Sequence, residues 1–347
     1  MSLSDAQPRP SAEIEAFIAG LPKAELHVHH VGSASPAIVA ELAARHPGRV
    51  PSDLDALADY FTFTDFAHFI ELYLSVVDLV RTPEDLHALT LGVGRDMAAQ
   101  QIRYAELTLT PYTSVVRGIP AEAYCEAVED ARLALEREGG PLLRWVFDIP
   151  GESGLPAADV TRDVALQQRP DGLVGFGLGG PEIGVPRTQF APHFAAARAA
   201  GLHSVPHAGE STGPSTVWDA VRHLGAERIG HGITAARDPA LLAHLAEHGI
   251  PLEISLTSNV CTRSVAGLAV HPLPQIAASG VTFTINTDDP PMFATDLGRE
   301  YAVAAGLLGL DHHGVADLSR AAVRQSFLDS GGKTRLLAEI DAYVATA

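Results

Sequence analysis

Strand-like and helix-like stretches alternate along this chain, and that rhythm limits the folds open to it. Strand-like runs cover 24–30, 102–111, 142–150, 173–180, 204–210, 228–233, 250–259 and 281–290. Helical periodicity occupies 121–138, 190–200, 215–224 and 240–247. Alternation of this kind calls for parallel strands joined by right-handed helical crossovers. Eight such units predict a closed (β/α)8 TIM-type barrel in the α/β class. A doubly wound open sheet is the alternative, weakened because no glycine-rich dinucleotide fingerprint follows the first strand. The gap after the first strand is long. Within it 36–46, 54–60, 65–79 and 83–101 read as helical, with Phe66, Phe69, Ile70, Tyr73, Leu74 and Val77 spaced three to four apart. This helical insertion, 31–100, either packs on the barrel or covers its mouth as a lid. Residues 1–20 read as a polar leader and a short helix, and extra C-terminal helices follow from 297. No linker or repeat interrupts the pattern, so 1–347 reads as a single domain.

Composition narrows the function classes. The chain has 347 residues, 46% of them hydrophobic, which is enough for a large core. A formal net charge of −18 disfavours nucleic acid and anionic membranes as partners. Cys125 and Cys261 are the two cysteines, too few for a disulfide framework. The N-terminus lacks the basic start and apolar core of a signal peptide, and no apolar run is long enough to span a bilayer. The expectation is a soluble, cytoplasmic protein acting on a small molecule.

In a (β/α)8 barrel, chemistry sits where the strands end. The first strand ends in His27 and His29, which alternate along the strand and so share a face. The fifth ends in His207-Ala208-Gly209-Glu210, the sixth carries Gly230-His231-Gly232, and the eighth ends in Thr287-Asp288-Asp289-Pro290. Singly, each has a structural explanation: a hydrogen-bonded strand histidine, a solvated loop acid, turn chemistry before proline. Jointly they all fall at one end of the barrel. Three imidazoles and one carboxylate are a suitable set for a catalytic zinc with an open position. His203, His223, His244, His248, His271, His312 and His313 read as surface or packing residues.

These pieces carry a resemblance. Leu26-His27-Val28-His29, Gly179-Gly180-Pro181-Glu182, His207-Ala208-Gly209-Glu210, Arg228-Ile229-Gly230-His231-Gly232, Ser258-Asn259 and Asn286-Thr287-Asp288-Asp289-Pro290 resemble, in order, the motifs of the adenosine deaminase family. That family belongs to the metal-dependent amidohydrolase barrels. The resemblance implies one zinc per chain, with iron or manganese as alternatives, held by His27, His29, His207 and Asp288. It implies Glu210 as the proton-transferring acid, and His231 and Asp288 as the groups that orient the attacking water. Purine contacts fall on the backbone of Gly180 and the carboxylate of Asp289. The implied reaction is hydrolytic removal of the 6-amino group of an adenine nucleoside.

Other classes fit less well. Cytidine-type zinc deaminases carry a Cys-x-x-Cys pair that is absent here. Two-metal barrels of the same superfamily commonly bridge their ions with a modified mid-barrel lysine, and the two lysines here, Lys23 and Lys333, lie elsewhere. A non-catalytic metal-binding relative would have no need of Glu210.

One position departs from the family pattern. Adenosine deaminases usually place an aspartate after the first-strand motif, where it binds the ribose 5′-hydroxyl; here that position is Val31. Valine cannot accept a hydrogen bond, so a buried hydroxyl facing it would cost roughly 1–3 kcal/mol. An apolar 5′ substituent suits it better. The run most resembles the actinobacterial 6-aminodeoxyfutalosine deaminases of the menaquinone route, whose substrate carries an aryl ketone there. Plain adenosine deamination in purine salvage is the alternative. A substrate benzoate would call for a cation, with Arg81, Arg117, Arg144 and Arg187 as candidates.

Overall fold

The computed structural model describes residues 10–61 and 66–346. The leader expected over 1–9, Asp65, and the side chains of Phe66 and Phe69 lie outside the described residues.

Eight parallel strands follow one another in chain order around a single sheet. They are β1 (Lys23–His29), β2 (Ile102–Leu109), β3 (Leu142–Pro150), β4 (Leu173–Gly179), β5 (His203–Ala208), β6 (Ile229–His231), β7 (Leu252–Ile254) and β8 (Phe283–Ile285). The continuation of β8 returns to β1. His29 N donates to Asp288 O at 2.8 Å, Asp288 N donates to His27 O at 3.2 Å, and Val28 pairs with Asp288 in a parallel bridge. The result is a (β/α)8 TIM-type barrel.

Parallel strands covered on both faces carry apolar residues on both, and β3 and β4 show how the two faces divide. On β3, Trp145 and Phe147 face the helix Ala121–Arg137: the Trp145 indole donates to Glu129 at 2.6 Å, and Phe147 meets Tyr124 edge-on. Val146 and Asp148 alternate with them and face inward. On β4, Phe176 packs against Phe194 of the helix Ala191–Ala199. Its inward positions are Gly175, Gly177 and Gly179. A Cβ on Gly179 would lie 2.5 Å from Asp148 Oδ2, so the glycines leave room for the side chains of β3. Buried Asp148 accepts from the Thr110 hydroxyl at 2.5 Å, and burial pushes its carboxyl up to about 6.

The helices begin and end on recognisable signals. Thr82 and Asp85 form a reciprocal capping box ahead of Pro83–Ala99. Asp238 caps Pro239–His248, which stops at Gly249 in the left-handed region. The insertion after β1 holds helices Pro36–Arg45, Leu54–Tyr60, Phe66–Val77 and Pro83–Ala99, and the chain ends with Leu297–Leu308, His312–Gln325 and Ser330–Val344. No described helix is long and apolar enough to cross a membrane.

Several stretches differ from the sequence expectation, among them β6 and β8, expected over 228–233 and 281–290 and observed as Ile229–His231 and Phe283–Ile285. The strand expected over 250–259 stops at Ile254, and Leu256–Cys261 is helical. Buried Glu300 accepts from Thr257 N at 3.1 Å, satisfying a free N–H of that helix's first turn. The segment Leu256–Cys261 is thereby held as helix, which turns Ser258 toward Asp288 and Asn259 toward His231. The helix Gly154–Asp163 went unread because it opens on Gly154 and Pro156; proline is tolerated in a first turn.

Candidate active site

The ends of β1, β5 and β8 bring His27, His29, His207 and Asp288 together, with one ligand atom of each within 4.8 Å of the others. His29 Nε2 lies 3.2 Å from His207 Nε2 and 3.2 Å from Asp288 Oδ1. His27 Nε2 is 3.6 Å from the same oxygen. Asp288 adopts φ 69°, rare for a residue with a Cβ, and the Ser258 hydroxyl donates to its Oδ2 at 2.6 Å. Strained backbone of this kind concentrates at functional sites.

The donor set fits a divalent cation. Buried His27 Nε2 has no hydrogen-bond partner among the described residues and points into the cluster, 3.6 Å from Asp288 Oδ1. The electrostatics favour positive charge there. Burial works against charging His27 and His29, yet the nearby Asp288 carboxylate, and for His27 also its hydrogen bond to Glu253, raise them to about 10 and about 9. Burial and those two neighbours push His207 well below its ordinary range. Burial also opposes the Asp288 charge, but the histidines around it hold the carboxyl far below the usual range.

Beneath the cluster lies a layer of charge that sequence reading missed. Glu253, on β7, accepts from His27 Nδ1 at 2.8 Å, which leaves Nε2 of the neutral ring as a lone pair facing the cluster. Arg228 donates to Glu253 Oε1 at 2.5 Å and, on its other side, to Glu106; all three are buried. Its guanidinium also lies 3.9 Å over the Phe327 ring. An acid within the apolar run Pro251–Ile254 was the available signal. Carboxylates behind ligating histidines typically matter 10- to 100-fold for metal affinity. Glu253→Gln is therefore expected to weaken zinc binding by about that factor, read by competition with a chelator. Unchanged affinity would confine Glu253 to a packing role.

Glu210 sits beside this cluster. Its Oε1 accepts from the hydroxyls of Thr262 at 2.9 Å and Ser264 at 3.2 Å, and its Oε2 lies 3.8 Å from His231 Nε2. The same nitrogen is 3.9 Å from Asp288 Oδ2. The loop bearing Glu210 is clamped by buried Glu182, which accepts from the backbone N–H of Gly209, Ser211 and Thr212 at 2.5, 2.8 and 3.0 Å. Burial opposes the Glu182 charge, but Arg187 and these donors hold its carboxyl below the usual range. Sequence reading placed Glu182 in a motif without seeing that it shapes the neighbouring loop.

Asp289 is buried, and its Oδ1 has no hydrogen-bond partner among the described residues. Burial and the adjacent Asp288 charge push its carboxyl up to about 7. A Cβ on Gly32 would overlap Asp289 Oδ1, so the turn Val31–Ser33 needs glycine there. Gly180 follows β4 with φ 76°, and its carbonyl accepts from Arg187 at 3.4 Å. Val31 is half-buried and lines a cavity with Tyr73, Val77, Val80, Leu86 and Tyr124.

The four candidate arginines separate by position. Arg144 lies near the N-terminal start of β3 beside Glu136, at the end of the barrel away from the site, so it is no substrate contact there. Arg187 is buried next to Glu182 over β4 and β5, across the barrel from Val31. Arg117 pairs with Asp78 at 3.0 Å, and Arg81 donates to the Asp78 carbonyl at 2.9 Å; both lie on the Val31 side. His271 also corrects expectation, being neither surface nor simple packing: it is buried and bonds to Asn259 at 3.2 Å. Lys23 is buried at the start of β1, its ammonium held by the carbonyls of Ile18, Leu21 and Gln100, far from a mid-barrel bridging position.

A (β/α)8 barrel whose mouth gathers three imidazoles, a carboxylate and an adjacent acid is the architecture of a metal-dependent hydrolase. The adenosine deaminase family model matches residues 22–343, and the chain belongs to that family; it is a hydrolytic deaminase. An aminodeoxyfutalosine deaminase of Streptomyces avermitilis is 64% identical over 336 residues, 96% of this chain and 94% of that protein. The crystal structure of an adenine deaminase from Arthrobacter aurescens superposes with a TM-score of 0.87 at 29% identity, covering 94% of this chain and 99% of that one. An amidohydrolase from Burkholderia ambifaria with bound Zn gives 0.88 at 25% identity, covering 97% and 95%.

Proposed function

We propose that this chain uses one zinc ion to deaminate an adenine nucleoside carrying an aryl ketone at its 5′ end, 6-aminodeoxyfutalosine, in menaquinone biosynthesis. The observation that carries the reading is Val31. It stands where the resemblance places a hydroxyl-binding acid, and it walls a cavity in which aliphatic and tyrosine side chains are mixed with His30 and the hydroxyls of Thr108, Thr110, Thr113 and Ser114. The 64% identity to an aminodeoxyfutalosine deaminase supports the same substrate. The hydroxyls of Thr113 and Ser114 line that cavity and can donate to a ketone oxygen, while Arg117 nearby suits the benzoate.

His27, His29, His207 and Asp288 would hold the zinc. An ion there supplies hydroxide near neutral pH by lowering the pKa of water from 15.7 to about 7. The chain's own residues do the rest. Thr262 and Ser264 bind one oxygen of Glu210, leaving the other free to deliver a proton to purine N1, which makes C6 electrophilic. His231 and Asp288 flank the face from which oxygen arrives at C6. Asp289, with an unpartnered buried oxygen, hydrogen-bonds N7, and the Gly180 backbone meets the far edge of the ring. A proton from the added water passes to the 6-amino group, which leaves as ammonia, and the 6-oxopurine remains.

Val31→Asp tests the substrate assignment. A restored hydrogen bond is worth about 1–1.5 kcal/mol, close to tenfold. The variant is expected to raise kcat/KM for adenosine about tenfold and lower it for 5′-deoxyadenosine by a similar factor. Equal losses for both nucleosides would dissociate Val31 from 5′ selection.

A further inference from the structure

A series of hydrogen bonds runs from the backbone to the ring of His231, and each link dictates the next. Leu273 N–H donates to His271 Nδ1 at 3.1 Å. A ring nitrogen that accepts carries no proton, so neutral His271 keeps its proton on Nε2. Burial holds His271 at about 4, which leaves it neutral around pH 7. Its Nε2–H therefore donates to Asn259 Oδ1 at 3.2 Å. That bond turns the Asn259 amide so that its NH2 group donates to His231 Nδ1 at 3.1 Å. With Nδ1 accepting, the proton of the neutral His231 ring sits on Nε2. This is the atom 3.8 Å from Glu210 Oε2 and 3.9 Å from Asp288 Oδ2. His231, Asn259 and His271 are all buried, so water does not compete for these bonds.

We infer that His271 and Asn259 are positioning residues that lock His231 in its Nε2–H tautomer, so that it presents a donor rather than a lone pair to the attacking oxygen. Neither touches the cluster. The relay starts at a backbone N–H, which has only one sense, and so no link can reverse without leaving a buried group unsatisfied. Holding an imidazole in the wrong tautomer can cost a hydrolase orders of magnitude in turnover. The inference rests on the proposed role of His231 for its catalytic consequence, but the tautomer is a property of the ring that needs no substrate to measure.

The test uses the zinc-loaded protein labelled with 15N-histidine, read by long-range 1H–15N correlation, with His231 assigned by its loss in His231→Gln. The wild type is expected to show the His231 proton on Nε2. In His271→Leu the amide loses its anchor, a second His231 tautomer appears, and kcat falls about five- to tenfold with KM changed less than twofold. His271→Gln, which still offers an N–H to Asn259, restores both the single tautomer and the rate. A wild-type His231 proton on Nδ1 overturns the inference, and that measurement decides even if His271→Leu fails to fold. An unchanged tautomer in folded His271→Leu, or no rescue by His271→Gln, overturns it as well. Loss of activity toward every adenine nucleoside in the wild type would instead count against the proposed reaction and leave the tautomer result standing.

Discussion

Glu210→Gln is expected to keep its zinc and its fold while losing about a hundred- to ten-thousand-fold in turnover, the usual value of general acid–base help. The amide is nearly isosteric, and its oxygen can still accept from Thr262 and Ser264 as the carboxylate does. The four side chains of the candidate cluster are untouched, because the substitution lies beside it, with Glu210 Oε2 3.8 Å from His231 Nε2. What disappears is the proton for N1, without which the purine ring stays unactivated toward addition at C6. Ammonia release, elemental analysis and circular dichroism on one preparation separate these effects. Turnover within a few-fold of wild type would remove Glu210 from the mechanism.

Stripping the metal is expected to cost more, at least a thousand-fold, since water without an ion is some eight or nine pKa units from hydroxide. One equivalent of zinc per chain should restore the rate. The expectation of one ion follows from the site. A single constellation of metal-ligating groups is found among the described residues, and the buried lysine Lys23 is spent on three backbone carbonyls rather than on bridging a second ion. Protons compete for the same place, because Asp288 and Glu253 raise His27 to about 10 and the Asp288 carboxylate helps raise His29 to about 9 when no ion is present. Two tightly held ions per chain, or full turnover after chelation, would contradict this account.

The barrel was legible because parallel strands covered on both faces read as short apolar runs, and because strand and helix periods differ. The cluster was legible because histidine and aspartate at strand ends are unusual, and the fold itself says which end matters. What stayed hidden depends on partners distant in the chain. Glu253, Arg228 and Glu106 come from β7, the start of β6 and β2, and nothing in any one strand announces that their charges meet behind His27. His271 looked like a loop residue because its role depends on the helix Leu256–Cys261, which the sequence presented as strand. The arginines could be ranked only once the barrel showed Arg144 away from the mouth and Arg187 across from Val31.

The most direct test is kcat/KM for ammonia release, measured side by side with 6-aminodeoxyfutalosine, 5′-deoxyadenosine, methylthioadenosine, adenosine and adenine on the zinc-loaded protein. The account predicts that 6-aminodeoxyfutalosine leads, with the other 5′-modified nucleosides ahead of adenosine by about tenfold, the value of one unsatisfied buried hydroxyl. Adenosine ahead of every 5′-modified compound would contradict it and make the chain a plain adenosine deaminase.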